Sequence, residues 1–232
     1  MLYVVTVTPN NKDIVAQETL SYLKNYNKYV HNLVSKNITK KNILDFGSGY
    51  GLFCEYLVKK GYNVNAFEIN EVAKQKTIEK KIKTFSKFED ITQKYNTVVS
   101  MNVLEHIEDD VLILENIKTI MDREGKLILY LPSSKFVWSS LDEDANHYRR
   151  YSKKEIIQKL TKARYEIQLI HYVDFIGWLS LVVLKCFRYT PTFNKDLLVL
   201  YDKFIFRFLI HLDKIFKNVI GKNLYIEAKL KT

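Results

Sequence analysis

Short apolar runs recur along the chain, each closed by a glycine, an acid, an amide or a proline. Ile43-Leu44-Asp45-Phe46 opens into Gly47, Val64-Asn65-Ala66-Phe67 ends at Glu68, Thr97 to Met101 ends at Asn102, and Lys126 to Leu131 stops at Pro132. Between them, 52–60 and 111–123 carry apolar residues at helical spacing and close at Gly61 and Gly125. Strands interleaved with amphipathic helices predict βαβ units and a parallel sheet covered on both faces. Further strands are expected at 82–85, 165–172 and 224–230, which makes a doubly wound α/β fold with a seven-stranded, mostly parallel sheet. A leading helix over 13–36 places Tyr22, Tyr26, Tyr29, Val30 and Leu33 near one face, either over a ligand pocket or packed in the core.

The stretch from Ile43 to Phe53 organises the rest. It reads as strand, tight glycine turn and helix start, an arrangement that brings backbone N–H groups close to a ligand. The spacing departs from the dinucleotide fingerprint G-x-G-x-x-G, because its third glycine position holds Leu52. Asp45 departs further, since a carboxylate where the strand meets the turn repels pyrophosphate and attracts a cation. Asp45-x-Gly47-x-Gly49-x-Gly51 resembles the first motif of class I S-adenosylmethionine-dependent methyltransferases, whose cofactor is a sulfonium with an ammonium group and no phosphate.

The resemblance implies a Rossmann-like methyltransferase fold and S-adenosylmethionine as cofactor, with Asp45, Gly47, Gly49 and Gly51 forming its turn. Glu68 ends the second strand 17 residues beyond Gly51, an offset suited to holding the ribose hydroxyls. Asn70 is expected to cap the next helix. The family's loop after strand 3 implies an adenine contact from Asp90 or Glu89. Asn102-Val103-Leu104-Glu105-His106 after strand 4 resembles the segment that passes beside the methionine part of the cofactor, which adds Met101 and Asn102. Quinone and small-RNA O-methyltransferases read E-x-x-E-H there and use it on a divalent metal. Here Asn102 replaces the first acid, two ligands remain, and no metal is expected.

The loop at 132–151 is long for a compact domain, and it precedes a helix with Ser152-x-x-Glu155 as capping box. Ligands of doubly wound sheets sit beyond the carboxyl ends of the strands, so this loop is expected over the transferable methyl. His147-Tyr148-Arg149-Arg150-Tyr151 resembles a signature of a bacterial-type methyltransferase subgroup associated with cell-surface glycan and lipid gene sets. His147 is the first candidate general base, with His106 behind it. Trp138, Tyr148 and Arg149 are candidate acceptor contacts. Arg149 and Arg150 either bind an anionic acceptor or pair with the acids at 142–144 to hold the loop closed.

At 232 residues, 47% apolar and 27% charged, the chain suits one globular domain: helical cover 1–40, cofactor core 41–173, apolar helical insertion 174–222 and final strand 223–232. Cys54 and Cys186 match no metal or redox spacing, residues 1–10 lack the basic region of a signal peptide, and no apolar run is long enough to span a membrane. A cytoplasmic protein is expected. The formal charge is +10, and residues 147–232 hold all of the excess, with 17 basic against 7 acidic residues. Within the insertion, 197–220 reads as one apolar helix with a stripe of Lys203, Arg207, His211, Lys214 and Asn218. That segment suits a membrane surface at the inner face or a lipid-linked acceptor; the alternatives are a cap buried on the domain and a homodimer face. The expected reaction is methyl transfer, foremost to oxygen, on a small-molecule, glycan or lipid-linked acceptor. An RNA methyltransferase is the rival enzyme, disfavoured by an insertion too apolar for a nucleic-acid face. A non-catalytic protein keeping the fold is the other alternative.

Overall fold

The structure is a computed structural model, with residues 18–39, 41–192 and 194–231 described. Its strands are β1 (Asn42–Phe46), β2 (Asn63–Phe67), β3 (Thr84–Phe85), β4 (Tyr95–Met101), β5 (Met121–Pro132), β6 (Tyr165–Val173) and β7 (Asn223–Leu230). They form one seven-stranded sheet in the order β3-β2-β1-β4-β5-β7-β6. Strands β1 to β5 pair in parallel, and β7 runs antiparallel between β5 and β6. The doubly wound, Rossmann-like sheet expected from the apolar pattern is therefore present. Its strand order reverses between β1 and β4, where such folds open a crevice for ligands.

Neighbouring residues of one strand enter opposite cores. Leu44, Phe46, Val98, Leu127 and Leu129 pack on one side of the sheet. Ile43, Val99, Ile128 and Tyr130 pack on the other, with Phe53 and Leu57 of the first crossover helix. Each such side chain, fully buried, contributes about 1.5–3 kcal/mol relative to exposure. This two-sided burial explains why the strands read as runs rather than alternations.

The helices that position the site are α1 (Lys24–Ser35), α2 (Leu52–Lys59), α3 (Glu71–Glu79), α4 (Asp110–Thr119), α5 (Ser140–Asp144), α6 (Lys153–Lys162), α7 (Phe175–Cys186) and α8 (Lys195–Tyr201). The leading helix expected over 13–36 breaks at Tyr22–Leu23, and its start at 13–17 lies outside the described residues, as does the apolar run at 1–10. The helix expected over 111–123 stops at Thr119, because Met121 already pairs with Tyr95 and starts β5. The long loop at 132–151 contains α5 and a single turn, Lys135–Val137. At α6 the Ser152 side chain accepts from Glu155 N at 3.2 Å, while the Glu155 carboxylate turns to Lys135 at 3.3 Å.

The helix expected over 197–220 runs without a gap from Lys195 to Phe216, with changes of pitch along it. After α8 it widens into a π-helical turn at Asp202–Phe206, continues as α9 (Arg207–Leu209), tightens into a 3-10 turn at Ile210–Leu212 and ends as α10 (Asp213–Phe216). Two buried acids stand where the pitch changes. Asp202 accepts from Asn25 N at 2.9 Å and Tyr26 N at 2.8 Å. It thus caps α1, whose own N-cap residue, Leu23, has no side-chain acceptor. Asp213 accepts from Asp174 N, Phe175 N and the Tyr29 hydroxyl at 2.6–2.7 Å. The remainder of this segment is exposed on two sides: Lys203, Arg207, His211 and Lys214, but also Phe204, Phe208, Ile215 and Val219. Phe206, packed on Tyr26 and Tyr29, and Phe216, stacked on Phe175, face the domain, so the segment covers it with part of its apolar surface and leaves the rest exposed.

Candidate active site

A cavity of about 720 Å³ lies at the switch point, beyond the carboxyl ends of β1, β2, β4 and β5. At one end stands the glycine turn. Gly47, Gly49 and Gly51 take φ values of 78°, 53° and 67°, a region that L side chains disfavour. A Cβ at Gly47 would stand 2.3 Å from the Val103 side chain, and one at Gly51 2.9 Å from Thr77 of α3. Thr77 Oγ also donates to Gly49 O at 2.9 Å, so α3 clamps the turn from behind.

The two acids of this end face the cavity. Asp45 is buried; its Oδ2 accepts from the Cys54 thiol at 3.1 Å, and its Oδ1 has no hydrogen-bond partner among the described residues. Burial raises its pKa to about 7, the Cys54 contact lowers it and nearby Glu68 raises it again. Glu68 accepts from Gly49 N at 2.8 Å and Asn70 N at 2.9 Å, and burial raises its pKa. Asn70 in turn caps α3, accepting from Ala73 N at 3.0 Å. An orphaned buried carboxylate oxygen beside a glycine cradle fits a cationic ligand, and it does not fit a diphosphate. Met101 and Asn102 continue the wall, and Asn102 holds a left-handed backbone at φ 52°.

The middle of the cavity is polar. Tyr148 N donates to Glu105 O at 2.8 Å, bringing the loop before α6 against the segment after β4. His106 and His147 meet edge to face with ring centroids 4.7 Å apart. His147 Nδ1 lies 2.9 Å from Asp142 Oδ1, which also accepts from Arg150 Nε at 2.7 Å. Glu105 is fully buried, and burial raises its pKa to about 7 while His147 and Arg150 pull it down. Burial, then the neighbouring His147 ring, lowers the pKa of His106 to about 4. Beyond this cluster the wall turns apolar, with Leu181 and Leu184 of α7 and Leu197 and Leu198 of α8.

Of the residues singled out from sequence, Asp45, Gly47, Gly49, Glu68, Met101, Asn102, His106 and His147 share this one cavity. Gly51 stands just behind it as the N-cap of α2. Asp90 does not reach it. The turn at 88–90 buries Phe88 against Phe46 and Phe67 and leaves Asp90 exposed. The three candidate acceptor contacts also lie off its wall. Trp138 lines a separate, smaller pocket beside Leu184 and Lys185, and Tyr148 is 57% exposed. Arg149 is held by Asp110 at 2.7 Å and Glu108 O at 2.8 Å. Arg150, on Asp142 and Ser133 O, does line the cavity and follows the loop-pinning alternative. Sequence reasoning missed Asp142 as the partner of His147, Tyr130, and Lys222, whose ammonium pairs with Asp174 at 2.7 Å. The triplet of acids at 142–144 was the one visible signal for Asp142.

Comparison with known proteins agrees with this geometry. A methyltransferase-domain family matches residues 17–171. No curated protein matches the chain in sequence. Among solved structures, the magnesium protoporphyrin IX methyltransferase from Synechocystis PCC 6803 with bound SAH superposes at TM-score 0.54 and 16% identity, over 98% of this chain and 90% of that one. A SAM-dependent methyltransferase from Thermotoga maritima superposes at TM-score 0.59 and 13% identity, over 94% and 99%. A glycopeptide N-methyltransferase complexed with S-adenosylmethionine gives TM-score 0.58 and 10% identity, over 88% and 87%. No described helix is long and apolar enough to cross a membrane. With family, sheet order and a cation-suited glycine turn in agreement, the chain belongs to the methyltransferase-domain family and is a class I S-adenosylmethionine-dependent methyltransferase.

Proposed function

We propose that the chain methylates an oxygen of an acceptor with a largely apolar body, a small molecule or a lipid-linked glycan. One observation carries this reading: the cavity runs unbroken from the glycine turn, past the His147 cluster, to the leucines of α7 and α8. The bound cofactor supplies a methyl group already activated on a sulfonium. Asp45 and the turn hold the cationic end, and Glu68 holds the ribose. The chain's remaining task is alignment, and the walls of α7 and α8 perform it by excluding water and fixing the acceptor's body. Asp142 holds Nδ1–H of His147, leaving Nε2 to take the acceptor's proton as the bond to carbon forms.

The exposed aromatic and aliphatic side chains of 204–219, bordered by Lys203, Arg207, Lys214 and Lys217, suit contact with an anionic membrane surface that delivers such an acceptor. The test is transfer of labelled methyl from S-adenosylmethionine to polyprenyl-linked saccharides, aromatic alcohols and RNA, side by side. Label in organic-extractable product supports the reading. Label in RNA alone, with binding that weakens steeply with salt, overturns it.

A further inference from the structure

Beside the main cavity lies a second pocket of about 240 Å³. The two share four wall residues: Leu181 and Leu184 of α7, and Tyr189 and Pro191 just after it. Pockets that hold a whole small ligand measure about 300–1,000 Å³. The second falls short of that, so it suits the end of a molecule whose body lies in the first. Ser140 Oγ donates to Pro191 O at 2.6 Å, which ties α5 to the chain after α7 and holds the pocket's walls together. Trp138 comes from the loop before α5, with its indole N–H on Glu143 Oε1 at 3.4 Å. Lys185 and Arg188, both exposed, come from the end of α7. Lys185 Nζ donates to Phe136 O and stands 4.7 Å from the centre of the Phe136 ring, with its other donors unused. Arg188 makes no side-chain hydrogen bond or ion pair among the described residues. It also holds a left-handed backbone, at φ 53°, where Tyr189 N closes the helix end on Leu184 O at 2.9 Å. Glycine usually takes that position, because a side chain there is strained. Basic residues in a last turn ordinarily complement the helix dipole. That accounts for Lys185; it calls neither for a strained arginine nor for a tryptophan on the wall of the same pocket.

We propose that the second pocket binds an anionic end of the acceptor, a phosphate or a carboxylate, with Lys185 and Arg188 as its cations and Trp138 as the apolar face beside them. The inference rests on the reading of the main cavity as an acceptor chamber. The acceptor is then two-ended: the atom to be methylated lies near His147, an apolar body follows the leucines of α7, and a negative charge sits at the far end. The forked donors of an uncommitted guanidinium match the oxygens of either anion. The two cations outweigh Glu143, the acid at the edge of the indole. Charge at this distance from the chemistry selects the acceptor and fixes its direction in the chamber, without touching the methyl group.

Full-length protein saturated with S-adenosylhomocysteine is titrated by calorimetry with decanediol, with the hydroxy acid of the same length and with the matching hydroxyalkyl monophosphate. Both anions are expected to bind about 10–100-fold tighter than the diol, and the tighter of the two tells phosphate from carboxylate. Combining Lys185→Gln with Arg188→Gln should remove that preference, and Trp138→Ala should weaken both anions by about 2–10-fold. Titration with S-adenosylmethionine reports that each variant is folded. Equal binding of diol and anions to the wild type, or a preference that survives in the double variant, overturns the anionic end. Labelled methyl transferred to the diol in that case leaves the oxygen-acceptor reading standing. Anion preference without methyl transfer supports the pocket and counts against oxygen as the acceptor atom. Binding of none of the three overturns the chamber and the pocket together.

Discussion

The two ends of the cavity are built in opposite ways. At the cofactor end the wall comes from two stretches close in sequence, 45–53 and 67–70, and much of it is backbone: glycine amides, helix starts and the carbonyl of Phe67, which takes Gly47 N and Ser48 N. At the acceptor end, Tyr130, Asp142, His147, Leu198 and Lys222 arrive from separate segments, and their side chains make the surface. A cradle of backbone tolerates few substitutions, because its shape depends on left-handed turns and close approach. A wall of side chains can change one residue at a time. On the proposed reading, recognition of the methyl donor is thus fixed by conformation, and recognition of the methyl acceptor by composition.

That contrast can be broken or sharpened experimentally. The largest effect is expected for His147→Ala, which should lower turnover by about 10²–10⁴-fold with cofactor affinity unchanged; rapid-quench assays with a calorimetric control check it, and normal turnover removes His147 from the mechanism. Next, Asp202→Ala should cost about 2–3 kcal/mol in urea unfolding, since two amides of α1 lose their cap inside the fold. Wild-type stability would show that α1 does not depend on the distant segment.

A smaller effect is expected from pH at the cofactor end. Asp45 rises from an ordinary 3.8 to about 7 in the cofactor-free protein. Between those values the folded chain keeps a proton that the unfolded chain releases, so the empty fold loses stability as pH rises from about 4 to about 7. The ionised form is the one that attracts a cation. Cofactor affinity should therefore increase with pH over the upper part of that window, by at most about tenfold per unit, and Asp45→Asn should flatten the profile. The smallest effect is expected for Phe208→Ser: stability within about 0.5 kcal/mol of wild type, with reduced sedimentation on anionic liposomes. A large loss of stability would mean that this exposed ring is packed in solution.

Sequence legibility follows the same division. Asp45, Gly47, Gly49 and Glu68 could be placed together from sequence because near neighbours in the chain are also neighbours around the cavity. Asp90, expected beside the adenine, stands exposed off the cavity wall because the turn at 88–90 packs Phe88 onto Phe46 and Phe67, and local polarity does not fix that register. Arg149 could not be separated from Arg150 by composition, since the buried acids that claim them, Asp110 and Asp142, stand 39 and 8 residues away. The contact of His106 with His147 was out of reach for the same reason, since 41 residues separate them in the chain. The changes of pitch in the helix expected over 197–220 were hidden for the same reason. Asp202 and Asp213 look like surface acids until their partners in α1 and at Asp174 are known.

Strands β6 and β7 lie side by side and antiparallel, yet 174–222 separates them. A turn of a few residues would join two such strands. Loop-closure entropy grows only with the logarithm of length, so a connection ten times longer costs roughly 2 kcal/mol more. The sheet itself barely registers the difference. The connection also leaves and re-enters at the end of the sheet where the cavity opens, so every residue added there becomes potential wall. An inexpensive insertion point beside the acceptor chamber gives this fold a place to exchange one acceptor for another while its cofactor cradle stays unaltered.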